Sequence, residues 1–221
     1  MTVTVLSAVF GGYDRPKPPV EQTVDTRWLL VTDDPTFARL NGWDVNLLRP
    51  MKGLEPRRAA KYPKMRPWDF TDTDVVIWVD ASVQVTSPEF VAMCLDNLPP
   101  GGIAAWRHPA RDCIYTELAH SLAMPKYAGE PMGEQCAHYA SVNGHPHHWG
   151  LWAAGILAWD RSATTKKLGR MWLDEIDRWS TQDQLSLPVV CRQLGIRPAE
   201  LPQNLLANDW CRVMPHPREW L

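Results

Sequence analysis

The sequence lacks several signatures, and each absence excludes a class of protein. Its five cysteines, Cys94, Cys113, Cys136, Cys191 and Cys211, are odd in number, scattered and never in C-x-x-C spacing. A disulfide framework or structural zinc site is therefore not expected, and a reducing cytoplasm is the expected location. No apolar run approaches the roughly 20 residues that span a bilayer. The opening Met1-Thr-Val-Thr-Val-Leu has neither a basic stretch nor a small-residue cleavage site, so it reads as a first strand rather than a signal peptide. G-x-G-x-x-G, Walker, G-x-S-x-G and H-E-x-x-H motifs are all missing, which disfavours the chemistries they serve. A net charge of −2 gives no general affinity for polyanions.

What is present suits a packed protein. The chain is 45% hydrophobic and 22% charged over 221 residues, which argues against disorder and for a single domain across residues 1–221. Charge is unevenly spread. From Arg49 to Arg66 the basic residues Arg49, Lys52, Arg57, Arg58, Lys61, Lys64 and Arg66 face only Glu55, a local +6. An anionic ligand is expected to dock near that segment.

Apolar runs at residues 3–10, 28–32, 43–48, 75–79, 102–106 and 153–159 read as strands. Between and after them, residues 57–70, 88–97, 114–123, 133–141 and 182–194 read as helices. Ser162 caps a further helix, in which Leu168, Met171, Trp172, Ile176 and Trp179 repeat at helical spacing. From Pro202 onward the chain reads as an irregular tail. This alternation predicts an α/β sandwich with a mostly parallel central sheet and helices on both faces. In such sheets ligands bind at the carboxyl ends of strands. Three strand ends carry polar or glycine clusters: Gly11-Gly12-Tyr13-Asp14, Thr32-Asp33-Asp34 and Asp80-Ala81-Ser82. Asp80 directly follows an apolar strand, where an unpaired carboxylate is costly and a divalent cation, Mn or Mg, is a natural partner.

Lys64-Met-Arg-Pro-Trp68 followed by Val75-Val-Ile-Trp-Val-Asp80-Ala-Ser82 resembles the glycogenin-like glycosyltransferases, with a pyrophosphate-binding lysine before a metal-binding D-x-D strand. Phe10-Gly-Gly-Tyr-Asp14, Arg107-His-Pro-Ala-Arg111 with Tyr115-x-Glu117, and Trp179-Ser-x-x-Asp183-Gln184 are similar to a glycosyltransferase-like family described as a domain of unknown function. The resemblance implies a GT-A (Rossmann-like) fold that binds a nucleotide-sugar, UDP-linked in the expected case, through a divalent metal. It implies a donor half at about residues 1–100 and an acceptor half at about 101–221.

Carried over residue by residue, the donor site takes Phe10, Gly11, Tyr13, Asp33, Asp34, Arg58, Lys61, Lys64, Asp80, Ala81 and Ser82. Tyr13 lies near the base, Asp33 or Asp34 near base or ribose, and Lys64 at the diphosphate. Asp80 and His216 are the implied metal ligands, with Ser82 standing where relatives have a second Asp. Asp183, with Gln184, is the implied catalytic pair facing the anomeric carbon, and retention of configuration follows from the resemblance. His108, Arg111, Tyr115, Glu117, Trp152 and Gly155 are assigned to the acceptor or sugar pocket.

The acceptor is expected to be a glycan, a protein, or a hydroxymethylated pyrimidine in phage-type DNA met in the cytoplasm. In the DNA case Trp106, Trp149 and Trp152 would stack an extruded base. His138, His145, His147 and His148 read as a polar loop rather than a zinc site. The competing reading is a carbohydrate- or nucleotide-sugar-binding module without activity, which explains the 12 tryptophans but neither the basic segment nor Asp80 and Asp183.

Overall fold

A computed structural model describes residues 1–48 and 54–215. Its larger sheet has seven strands in the order β3-β2-β1-β4-β7-β6-β8. These are β1 (Val3–Val9), β2 (Thr26–Thr32), β3 (Asp44–Leu47), β4 (Val75–Val79), β6 (Ile103–Ala105), β7 (Ile156–Asp160) and β8 (Ala199–Glu200). Strand β7 runs antiparallel to both β4 and β6, and the remaining pairings are parallel. The helices are α1 (Pro56–Met65), α2 (Phe90–Asp96), α3 (Ile114–Ser121), α4 (Met132–Ser141), α5 (Ala163–Arg178) and α6 (Asp183–Gln193). Among the described residues no helix is long and apolar enough to cross a membrane.

Strand alternation builds a core on each face of the sheet. Leu6, Ala8, Leu29, Val31, Val76 and Trp78 point to one side, where Met65 of α1, Leu168, Trp172 and Ile176 of α5, and Leu187 and Val190 of α6 cover them. Val5, Val75, Ile77 and Val79 point to the other, against Phe90, Val91 and Cys94 of α2. The expected stripe along α5 is therefore core, and each of its fully buried large side chains contributes on the order of 2 kcal/mol.

Two local features set the position of the site. Helices α1 and α5 cross so closely that a Cβ on Gly169 would lie 1.9 Å from the Met65 carbonyl oxygen, so only glycine fits there. That crossing carries Lys64 beneath the end of the sheet. The antiparallel β7 brings Gly155 beside the end of β4, where the Asp80 amide donates to the Gly155 carbonyl at 2.8 Å.

Several boundaries differ from the sequence reading. The helix expected over 57–70 ends at Met65, because Pro67 forces the preceding Arg66 out of the helical region, to φ −125°. The strand expected from 153 starts at Ile156. Its first residues instead form the loop that meets Asp80. The tail is not wholly irregular: β9 (Cys211–Val213) pairs antiparallel with the unforeseen β5 (Val83–Val85), burying Cys211 against it. The helix expected at 133–141 is present as α4, and His138, grouped with the loop histidines, lies on it.

Candidate active site

A cleft of about 240 Å³ opens at the carboxyl ends of β1 and β4. Phe10, Tyr13 and Asp14 line one wall, and Trp78, Asp80, Ala81, Ser82 and Gly155 form the floor. Arg57, Lys61 and Lys64 of α1 enter from one side. Lys126 and Tyr127, with Thr181, Gln182, Asp183 and Gln184 around the start of α6, complete the lining beside them.

The β1–α1 region is shaped by glycine. Gly11 and Gly12 have φ of +59° and +68°. A Cβ on Gly11 would fall 2.6 Å from Pro56 Cγ, so this turn presses on the first turn of α1. Asp33 steadies it, accepting from the Gly11 amide at 2.9 Å. Glu55 then caps α1 by accepting from the Arg57 and Arg58 amides.

Charge in the cleft is concentrated on Asp183. Its Oδ2 accepts from both Lys61 Nζ and Lys64 Nζ at 2.6 Å. Lys64 also stands 3.5 Å from Asp80 Oδ1, which accepts from the Trp78 indole N–H at 2.6 Å. The Lys64 ammonium lies over the rings of Trp78 and Trp172 at 5.6 and 5.9 Å.

Burial alone would raise the Asp183 carboxyl, but the two lysines outweigh it and hold its pKa well below the carboxylate range. Burial would likewise lower Lys64, yet Asp183 and Asp80 keep its pKa above the ordinary lysine value. Lys61 goes the other way: burial lowers it and Asp183 only partly compensates.

The segment from Ser180 to Asp183 is buried and held at every side chain. Ser180 Oγ donates to Gln135 Oε1 at 2.5 Å, and Thr181 Oγ1 donates to Glu130 at 2.6 Å. Gln182 donates to Glu117 Oε1 at 2.9 Å and to Ser121 Oγ at 2.8 Å. Glu117 is itself clamped by Arg111 Nε at 2.5 Å, with His108 Nε2 at 3.7 Å. Arg57 joins the set, donating to Thr181 Oγ1 and lying 4.9 Å from the Tyr127 ring centre.

The residues singled out in the sequence therefore divide. Phe10, Tyr13, Lys61, Lys64, Asp80, Ala81, Ser82, Gly155, Asp183 and Gln184 line the cleft. Gly11 and Asp33 shape its glycine turn. Asp34 lies outside the lining and caps the short helix Pro35–Phe37 through the Thr36 amide. Arg58 turns away, to the Ile176 and Trp179 carbonyls and to Asp177.

His108, Arg111 and Glu117 sit behind the cleft as supports of Gln182, and Tyr115 bonds the His145 carbonyl and stacks on His147 at 4.3 Å. Trp152 is sealed in the core at 0% exposure and Trp106 at 1%, so neither offers a face to an extruded base. The expected stacking platform is thus overturned for both. His216, like Arg49 and Lys52, lies outside the described residues.

Arg57, Lys126, Tyr127, Thr181 and Gln182 were missed as cleft residues. Arg57 was visible only as part of the basic run. The others carry no local signal, because a long loop and the start of α6 bring them in.

The described residues do not fit a metal centre of their own. No group of three His, Cys, Asp or Glu side chains converges among them. Asp183 is bound by two ammonium groups, one Asp80 oxygen takes the Trp78 indole N–H and faces Lys64, and Ser82 replaces a second carboxylate. Mg-type ions are usually held by one or two carboxylates together with substrate phosphates, and of Asp80 only the Oδ2 oxygen is left for one.

Comparison with solved structures places the architecture. WbbM, a bifunctional glycosyltransferase, superposes with a TM-score of 0.50 at 12% identity, covering 91% of this chain and 39% of that one. This chain therefore spans well under half the length of WbbM. Mouse xyloside xylosyltransferase 1 aligns with a TM-score of 0.48 at 10% identity, over 88% of this chain and 82% of that one. No curated protein matches. The family described as "TOD1/MUCI70, glycosyltransferase-like domain" matches residues 1–211, nearly the whole chain. The chain thus has the GT-A glycosyltransferase fold and is a member of the TOD1/MUCI70 glycosyltransferase-like family.

Proposed function

We propose that this chain transfers a sugar from a nucleoside-diphosphate sugar, UDP-linked by resemblance, to a hydroxyl on a glycan or protein acceptor. One observation carries the reading: the buried Lys64 ammonium and Lys61 meet at the strand-end cleft, with Arg57 and Lys126 on its walls. Departure of the diphosphate breaks the bond between the anomeric carbon and a β-phosphate oxygen, and the electron pair leaves with the phosphate. Fixed cations aimed at that oxygen stabilise the developing charge without reorganising. The acceptor oxygen forms the new bond, and its proton passes to the departing phosphate.

Tyr13 and the Gly11 turn would receive the base end of the donor, while Gly155 leaves room for the sugar against backbone. Asp183 holds the lysines before the donor arrives and would face the reacting carbon, as a carboxylate does in glycosidases. Retention rests on the family resemblance. Burial of Trp106 and Trp152 leaves only the partly buried Trp149 to stack a flipped DNA base, so a glycan or protein hydroxyl is the favoured acceptor.

Thermal denaturation with UDP, GDP, CMP and their sugars, with and without a chelator, tests this. At 100 times its dissociation constant the right nucleotide adds about 2.7 kcal/mol, roughly 5–11 °C for a chain this size. The shift should survive chelation and vanish in Lys64→Met. Stabilisation by no nucleotide would remove the donor site from the reading. Donor binding without sugar transfer to any hydroxyl acceptor would leave a binding module.

A further inference from the structure

A second concave site lies away from the cleft. Arg161 directly follows β7, whose last residue Asp160 pairs with Val75 at the start of β4. The site is therefore at the end of the sheet opposite Asp80. Met65, Arg66, Trp68, Asp69, Arg161, Lys166 and Arg170 line about 200 Å³ there.

Its charge is less balanced than that of the donor cleft. The cleft lining sets four cations against three carboxylates, whereas here Arg66, Arg161, Lys166 and Arg170 meet Asp69 alone. Asp69 is occupied by Arg66 at 2.9 Å. Arg161 is held by the Asp72 carbonyl and stands 5.8 Å from the Trp68 ring centre. Among the described residues Lys166 and Arg170 have no ion-pair partner, although as like charges four apart on α5 they repel each other. The Trp68 indole N–H is buried and lacks an acceptor. A concave basic surface held against its own repulsion is one that an external oxyanion stabilises.

We propose that this pocket is a second anion site, taking the phosphate group of a compact ligand between Lys166, Arg170 and Arg66. Calorimetric titration of inorganic tripolyphosphate at fixed ionic strength tests it, with wild type, the double variant Lys166→Glu and Arg170→Glu, and the cleft variant Lys61→Met. Neither side chain is buried, so both charge reversals should be tolerated by the fold. An unchanged melting curve confirms that the fold is retained, and Arg66→Gln provides a second route should the double variant unfold.

The double variant and Arg66→Gln should each weaken one binding event at least tenfold, and Lys61→Met should leave that event intact. Equal binding by wild type and both pocket variants, or no binding to wild type, overturns the proposal. A short DNA duplex then separates the sources. Failure to displace tripolyphosphate confirms a small phosphate ligand, whereas displacement overturns the compact-ligand assignment in favour of a phosphodiester chain. Loss of nucleotide binding at the cleft bears on the transferase reading alone.

Discussion

Two aspartates share one cleft and differ in almost every physical respect. Asp183 opens α6 with its side chain 8% exposed and two ammonium groups on one oxygen. Asp80 closes β4 with its side chain 40% exposed, bonded to one indole N–H and 3.5 Å from Lys64. Removing Asp183 would strand two buried cations, whereas removing Asp80 would leave Lys64 its principal partner. Asp183 is therefore the anchor of the cationic wall, and Asp80 is the group free to meet a ligand.

The largest effect should come from Asp183→Ala. A buried ion pair broken on one side typically costs 3–5 kcal/mol, because the remaining charge stays buried and unpaired. For a chain of this length that is roughly a 6–20 °C fall in melting temperature. Adding Lys61→Met and Lys64→Met to Asp183→Ala should recover much of the loss, since the triple variant buries no orphaned charge. If Asp183→Ala melts like wild type, the contrast between the two carboxylates is wrong.

Acid titration sharpens the contrast. The Asp183 pKa is held well below the carboxylate range, so its stabilisation is complete above the unfolded carboxylate pKa and is lost only in strong acid. His145 should respond first. Burial, with Arg192 nearby, lowers its pKa to about 4. The unfolded chain therefore takes up the proton first as pH falls below about 6.5, and stability declines between there and pH 4. The expected loss is about 3 kcal/mol by pH 4, followed by denaturant melts at pH 7, 5.5 and 4. His145→Gln should flatten the profile, and a decline that persists in that variant would point to His108, whose pKa burial also lowers.

Asp80→Asn should give the reverse of Asp183→Ala. An amide oxygen still accepts the Trp78 indole N–H, so the melting temperature should move by no more than about 2 °C, a surface-scale effect. Sugar transfer from the donor found in the nucleotide screen should nevertheless fall about a hundredfold, the scale seen when one polar group aimed at a reacting centre is removed. A large thermal effect with retained transfer would exchange the roles of the two aspartates.

The sequence shows one of these aspartates more clearly than the other. Val75–Val79 is a continuous apolar run ending in a carboxylate, and a strand with such an end places its acid at a sheet lip wherever it occurs in the fold. The position of Asp80 was legible for that reason, as were β1, β2 and the two-sided core. Asp183 could be named by resemblance, but its embrace by Lys61 and Lys64, 122 and 119 residues away, follows from the α1–α5 crossing at Gly169 and from no local pattern. The roles of Glu117 and Arg111 were hidden similarly. Two charged residues on a helix and its approach look like pocket lining until Gln182 is seen bonded to Glu117, which Arg111 holds in place. The basic run was read as one feature, yet helix geometry divides it: Arg57, Lys61 and Lys64 enter the cleft, Arg58 turns to α5, and Arg66 joins the opposite pocket.

The smallest effect, and the finest test of the Asp80 side, belongs to Gly155→Ala. Gly155 has no positive φ that would demand glycine, so the substitution acts through space alone. The added Cβ would stand 3.2 Å from Asp80 Oδ2, close enough that the carboxylate must yield by a few tenths of an ångström. Because Asp80 is half exposed and tied down by one side-chain hydrogen bond, it can yield at a cost of about 1 kcal/mol or less. The variant should melt within about 3 °C of wild type. Its donor affinity should nevertheless fall roughly three- to tenfold, because the methyl group occupies space in the cleft beside the half-exposed Asp80 carboxylate. Combining it with Asp80→Asn gives the decisive cycle. If Gly155 acts through Asp80, the two losses in affinity will fail to add. Full additivity would mean that the glycine makes room for the donor directly, and the contact between Gly155 and Asp80 would then be incidental to binding.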